Sequence, residues 1–93
     1  MTYQEKVMTI WRANGGATPD ARLNMALGLA SEAGEVCDVI RTQTWKHRVK
    51  SNNLKEELGD VLFFVAAISA EYGYTIEDIQ DANLEKLKAR YGK

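Results

Sequence analysis

The stretch "EAGEV" (Glu32–Val36) returns as "ELGDV" (Glu57–Val61), so the chain writes E-x-G-[ED]-V twice. Each copy sets two acids one helical turn apart around a glycine, inside a run whose apolar residues recur at ~3.6-residue spacing. On a wheel advancing ~100° per residue, Glu32 falls among Met25, Leu29, Val36 and Val39, with Glu35 ~60° to one side. Glu57 falls likewise among Leu54, Val61, Phe64 and Ile68, and Asp60 takes the offset that Glu35 has on the other helix. Two helices related by approximate two-fold symmetry thus offer the same acid pair to one interior.

A carboxylate in an apolar stripe either finds a positive partner or becomes protonated, and four together repel one another strongly. The partner is then a metal cation, or Arg and Lys side chains from neighbouring helices. An all-carboxylate donor set suits Mg²⁺ or Mn²⁺, whereas di-iron bundles need Glu-x-x-His pairs and the one histidine here is His47, outside the helices. Magnesium held by side chains keeps positions for water and phosphate oxygens, which points to a polyphosphate substrate. Glu56 lies ~100° from Glu57 and reads as a capping or surface acid. Gly34 and Gly59 each cost ~1 kcal/mol relative to Ala inside a helix. They are explained if the helices pack closely there, or are tolerated defects.

Outward from these motifs the chain divides into four helices with no convincing strand. The first is expected from Tyr3 to Asn14, with Tyr3, Val7, Ile10 and Trp11 on one face, ending at Gly15-Gly16. Thr18 reads as the N-cap of the second, with Pro19 at the first helical position and Asp20 beside the positive end, and that helix should reach about Arg41. "TQTWKHRVKS" (Thr42–Ser51) reads as a polar connection. The third helix should span Asn53 to about Tyr72 with Gly73 as a left-handed terminator, and the fourth should start at the cap Thr75 and end at Tyr91-Gly92.

On the fourth helix Asn83, Lys86 and Arg90 share a stripe with Ile76, Ile79 and Leu87, and are expected to face the acids. Lys86 and Arg90 would receive phosphate charge and Asn83 would orient a water or ligand; the plainer reading is that they reach solvent or balance the acids. Trp45, beside Lys46 and His47, is a candidate for stacking on a base, while Trp11 reads as core.

The bulk numbers limit the rest. The 93 residues fit one domain, and so short a chain buries a modest share of its surface, so association of copies is expected. Helix two adds to that expectation, because Leu23, Ala30 and Cys37 lie opposite Glu32 and give it a second apolar face. Twelve basic and 13 acidic residues leave a net charge of −1, which provides no field for nucleic acid or an anionic membrane. A single cysteine excludes a disulfide framework and suits the cytoplasm. The longest apolar run, Val61–Ala70, is about half of what a membrane span needs, and the start lacks a signal-peptide core.

"LGLASEAGEV" (Leu27–Val36), "LKEELGDVLFFVAAI" (Leu54–Ile68) and "NLEKLKARYG" (Asn83–Gly92) together resemble the MazG-like nucleotide pyrophosphohydrolases of the all-α NTP pyrophosphatase superfamily. Glu32, Glu35, Glu57 and Asp60 fit the family's E-x-x-E, spacer, E-x-x-D pattern, which is followed there by a basic helix. The resemblance implies an all-α, four-helix MazG-like bundle completed by oligomerisation, as dimers or tetramers. It also implies Mg²⁺-dependent hydrolysis of a nucleoside triphosphate between the α and β phosphates, with Glu32, Glu35, Glu57 and Asp60 as metal ligands. Glu35 is the candidate general base. Phosphoribosyl-ATP pyrophosphohydrolase or all-α dUTPase activity, and a non-catalytic nucleotide-binding oligomer, are the alternatives.

Overall fold

A computed structural model describes residues 1–14, 19–45 and 53–92. Among them are four α-helices and no strand: α1 Tyr3–Ala13, α2 Ala21–Trp45, α3 Asn53–Glu71 and α4 Ile76–Tyr91. The all-α reading holds, and no described helix is long and apolar enough to cross a membrane.

α2 and α3 form the centre of the fold and run antiparallel. The Arg22 guanidinium lies 4.5 Å from the Tyr72 ring centroid, Gly28 sits against Phe64, and Glu32 lies beside Glu57 and Asp60. Residue numbers therefore rise along α2 as they fall along α3, the arrangement that a two-fold between the repeated motifs requires. A Cβ on Gly28 would stand 2.5 Å from the Phe64 ring, so this glycine allows the two helices their close approach. Gly34 and Gly59 have nothing within 4 Å of such a Cβ, and the close packing considered for them is not found among the described residues.

α1 covers one face of α3. Val7, Met8, Met25, Ala66 and Ala67 make the buried cluster, with Trp11, Phe63, Phe64, Ile68 and Ile76 packed against it. Trp11 is core, as its sequence setting indicated, and its ring meets Phe63 and Phe64 edge-on at centroid distances of 6.3 and 6.1 Å. The buried stripe of α1 differs from the expected one: Met8 is buried, whereas Tyr3 and Ile10 are exposed. The reason is Gln4, whose Nε2 donates to the carbonyls of Ala66 and Tyr74 and thereby turns the face Gln4–Val7–Met8–Trp11 toward α3. Thr2 and Glu5 close the start of α1 with a reciprocal capping box.

Two boundaries of α2 are also corrected. The Asn24 N–H donates to the Asp20 carbonyl at 2.9 Å, so Asp20 holds the capping position and the helix begins at Ala21, after Pro19. Thr18 lies outside the described residues. At the other end the helix passes Arg41 and continues to Trp45, and Thr42, assigned to a polar connection, is buried. A threonine keeps one methyl to pack, and helical periodicity places Thr42 on the side of Val39.

The turns around α4 follow expectation. Gly73 and Gly92 take φ values of 81° and 71°, which a side chain would strain. Thr75 Oγ1 accepts from the Asp78 N–H, while the Thr75 N–H donates to the Asp78 carboxylate. α4 packs Ile76 against the core, and from Glu77 onward every described residue is exposed.

Candidate metal centre

The acid cluster is built from the helix pair held at Gly28 and Phe64. One turn beyond Gly28 on α2 is Glu32; one turn before Phe64 on α3 are Asp60 and then Glu57. Glu32, Glu57 and Asp60 each bring a carboxylate oxygen within 4.8 Å of the others. Glu32 and Glu57 are half-buried and Asp60 is exposed, so the group sits at the mouth of the helix interface, shielded on one side and open on the other. Leu29 and Val36 beside Glu32, and Leu54 and Val61 beside Glu57, are half-buried too, the apolar flanks read from the wheel.

Electrostatics follows from that geometry. Burial pushes the Glu32 carboxyl above its ordinary value, and the charges of Asp60, Glu57 and Glu35, with a hydrogen bond to Glu57, push it further the same way. Among the described residues no Lys or Arg pairs with these three acids, and the ion pair found nearby on α2 joins Arg41 to Asp38 at 2.6 Å. Pairing of the acids with cations from neighbouring helices is therefore not found among the described residues. Three gathered carboxylate oxygens, with no positive side chain paired to them among the described residues, could hold a metal ion.

The fourth acid stands apart. Glu35 is exposed, one turn along α2 from Glu32, and does not belong to the group within 4.8 Å, although its charge acts on Glu32. Asn83, Lys86 and Arg90 are exposed on α4, and α4 makes its principal contact with α3 rather than with α2. Among the described residues none of these three side chains pairs with an acid of the cluster. Trp45 ends α2 and is 77% exposed. Lys46 and His47 lie outside the described residues.

The positioning residue that pattern reading missed is Gly28. Its signal was present, since Gly28 precedes Glu32 by one helical turn and shares its face. The sequence shows two other glycines in the repeated motif, and those drew the inference instead.

Comparison with curated proteins and with solved structures gives no significant match. The model of the MazG nucleotide pyrophosphohydrolase domain matches residues 21–93, a span holding α2, α3, α4 and every acid of the cluster. By that match and by the helix pair that carries the acids, the chain belongs to the MazG nucleotide pyrophosphohydrolase family.

Proposed function

We propose that residues 1–93 act as a single cytoplasmic domain that hydrolyses nucleoside or deoxynucleoside triphosphates to monophosphate and pyrophosphate, with Mg²⁺ as cofactor and Mn²⁺ as a substitute. Such an activity controls a nucleotide pool or clears unwanted nucleotides from it. The observation that carries the reading is the convergence of Glu32, Glu57 and Asp60, with no positive side chain paired to them among the described residues.

Glu32, Glu57 and Asp60 would hold the ion, with Glu35 as a fourth ligand or at its edge. Bound there, the ion would polarise phosphoryl oxygens and acidify a water. Glu35, outside the tight trio and open to solvent, takes the proton as water oxygen bonds to the α-phosphorus. The anhydride bond to the β-phosphate breaks, and its electron pair leaves on pyrophosphate. Lys86 and Arg90 neutralise that charge, Asn83 orients a water or phosphate oxygen, and Trp45, Lys46 and His47 contact base or phosphate.

A panel of nucleoside triphosphates, dUTP and phosphoribosyl-ATP among them, assayed for pyrophosphate and monophosphate with and without Mg²⁺, tests this. Metal-dependent release of pyrophosphate that disappears in Glu57→Gln and Asp60→Asn is expected. Orthophosphate as the product, or turnover indifferent to both substitutions, overturns the reading.

A further inference from the structure

α1 stands ahead of the span that the family model matches, since that span opens at residue 21 and α1 ends at Ala13. It is nonetheless fastened to a helix that carries the acids. Gln4, near its start, donates to the carbonyls of Ala66 and Tyr74 at 3.1 and 3.0 Å. Val7 and Met8 are buried, and Trp11, near its end, meets Phe63 and Phe64. Residue numbers thus rise along α1 as they fall along α3, and the C-terminal end of α1 points toward the part of α3 that holds Asp60 and Glu57.

Trp11 touches the ring that spaces the acids. Along its Cδ1–Cε1–Cζ edge the Phe64 ring lies against the backbone of Gly28, where an added Cβ would stand 2.5 Å away. Trp11 meets the same ring with the planes 77° apart, and Phe63 meets it at a centroid distance of 5.2 Å. A ring packed in this way has little room to turn or withdraw, so whatever holds Phe64 also holds α2 and α3 apart at Gly28. Glu32 and Asp60 each lie one turn from that contact. The helices carry its spacing onward as rods, and a small ion that requires oxygens at about 2.0–2.1 Å is intolerant of any change in it.

The indole nitrogen adds to the argument. Nε1 of Trp11 is buried and finds no acceptor among the described residues. A buried donor left unpaired opposes folding, so the position uses the bulk of the ring and not its polar atom.

We infer that Trp11 is a positioning residue for the metal centre: by bracing Phe64 against Gly28 it sets the distance at which Glu32 meets Glu57 and Asp60. The inference rests on the metal-centre reading above and extends it to α1, outside the matched span.

Calorimetric titration of the full chain with Mn²⁺ alone tests it, on variants shown by circular dichroism to be folded at the temperature used. Trp11→Leu should weaken Mn²⁺ binding about tenfold, the low end of the effect of losing a residue that orients metal ligands. Trp11→Phe, which drops the N–H and keeps a ring, should retain most of the affinity. Val7→Ala is the control, because it opens the same helix's buried face one turn further from the acids; it should lower stability and leave Mn²⁺ affinity unchanged. A second measurement needs no metal. In a chelator, Gly28→Ala should lower the melting temperature of the unaltered chain, and this loss should shrink or vanish in the Trp11→Leu chain, where Phe64 has space to move aside. Trp11→Met, a flexible filler of the same space, replaces Trp11→Leu in both measurements if the latter does not fold. Unchanged Mn²⁺ affinity on loss of the Trp11 ring overturns the inference, as does an equal loss of affinity in Val7→Ala, or strict additivity between positions 11 and 28. Failure of the unaltered chain to bind Mn²⁺ overturns the metal-centre reading and this inference together.

Discussion

Gly28 of α2 presses its backbone against the Phe64 ring of α3, at a distance that leaves no room for even a methyl group. Glu32 stands one turn further along α2 and Asp60 one turn back along α3, so this contact fixes the spacing across which the acids meet.

Gly28→Ala should therefore destabilise the protein although alanine is the better helix former. The helix gain of ~1 kcal/mol opposes an overpacking cost of ~1–3 kcal/mol. The Phe64 ring has little room to yield, since Trp11 and Phe63 pack on it. A net loss of about 1 kcal/mol is expected, with a weakened metal affinity, in urea unfolding and metal titration at matched protein concentration. Gly34→Ala and Gly59→Ala, whose new methyls meet nothing within 4 Å, should instead stabilise the helices by up to ~1 kcal/mol each.

Without metal, stability should fall as pH rises. The Glu32 carboxyl is raised above its ordinary 4.5 in the folded chain, so the folded state binds more protons than the unfolded one between the two values. Its contribution is complete below the unfolded value and is lost as pH climbs through the folded one. Thermal unfolding from pH 4 upward in a chelator should show this decline, and Glu32→Gln should flatten it. An unchanged slope in the variant would show that the decline arises elsewhere.

Divalent metal should reverse the sign of that cost. At free metal about a hundredfold over its dissociation constant, a site absent from the unfolded chain adds ~2.7 kcal/mol. A rise in melting temperature with Mg²⁺ is expected, larger at pH 8 than at pH 5 because the ligands must be deprotonated. Asp60→Asn should remove most of it.

Glu35→Gln separates metal holding from proton transfer. Loss of a general base lowers turnover by roughly 10²–10⁴-fold, while the metal-induced rise in melting temperature should persist, since Glu35 lies outside the tight trio. Collapse of both together would make Glu35 a ligand rather than the base.

Helical periodicity and capping chemistry made most of this fold legible. The limits of α3 and α4, the cap at Thr75 and the left-handed Gly73 and Gly92 all follow from residue types with narrow backbone preferences. The face of α1 was not legible, because a polar residue, Gln4, sets its rotation through two carbonyls that are remote in sequence. The end of α2 escaped for a similar reason, as Thr42 and Trp45 carry no stop signal and composition alone suggested a connection. Within the acid set, the apolar neighbours of Glu32 and Glu57 told of partial burial. That Asp60 rather than Glu35 completes the close group depends on the tilt of one helix against the other, which a wheel does not contain. For Asn83, Lys86 and Arg90 the stripe said which residues share a side of α4 but not which helix lies opposite, and all three are exposed.

Because every oxygen of the cluster rides on two continuous helices, the arrangement inherits the mechanics of a screw. One residue inserted between Gly28 and Glu32 would advance the carboxylate by ~1.5 Å and swing it through ~100°, carrying it out of reach of Asp60. Length changes inside either rod are thus converted into rotation.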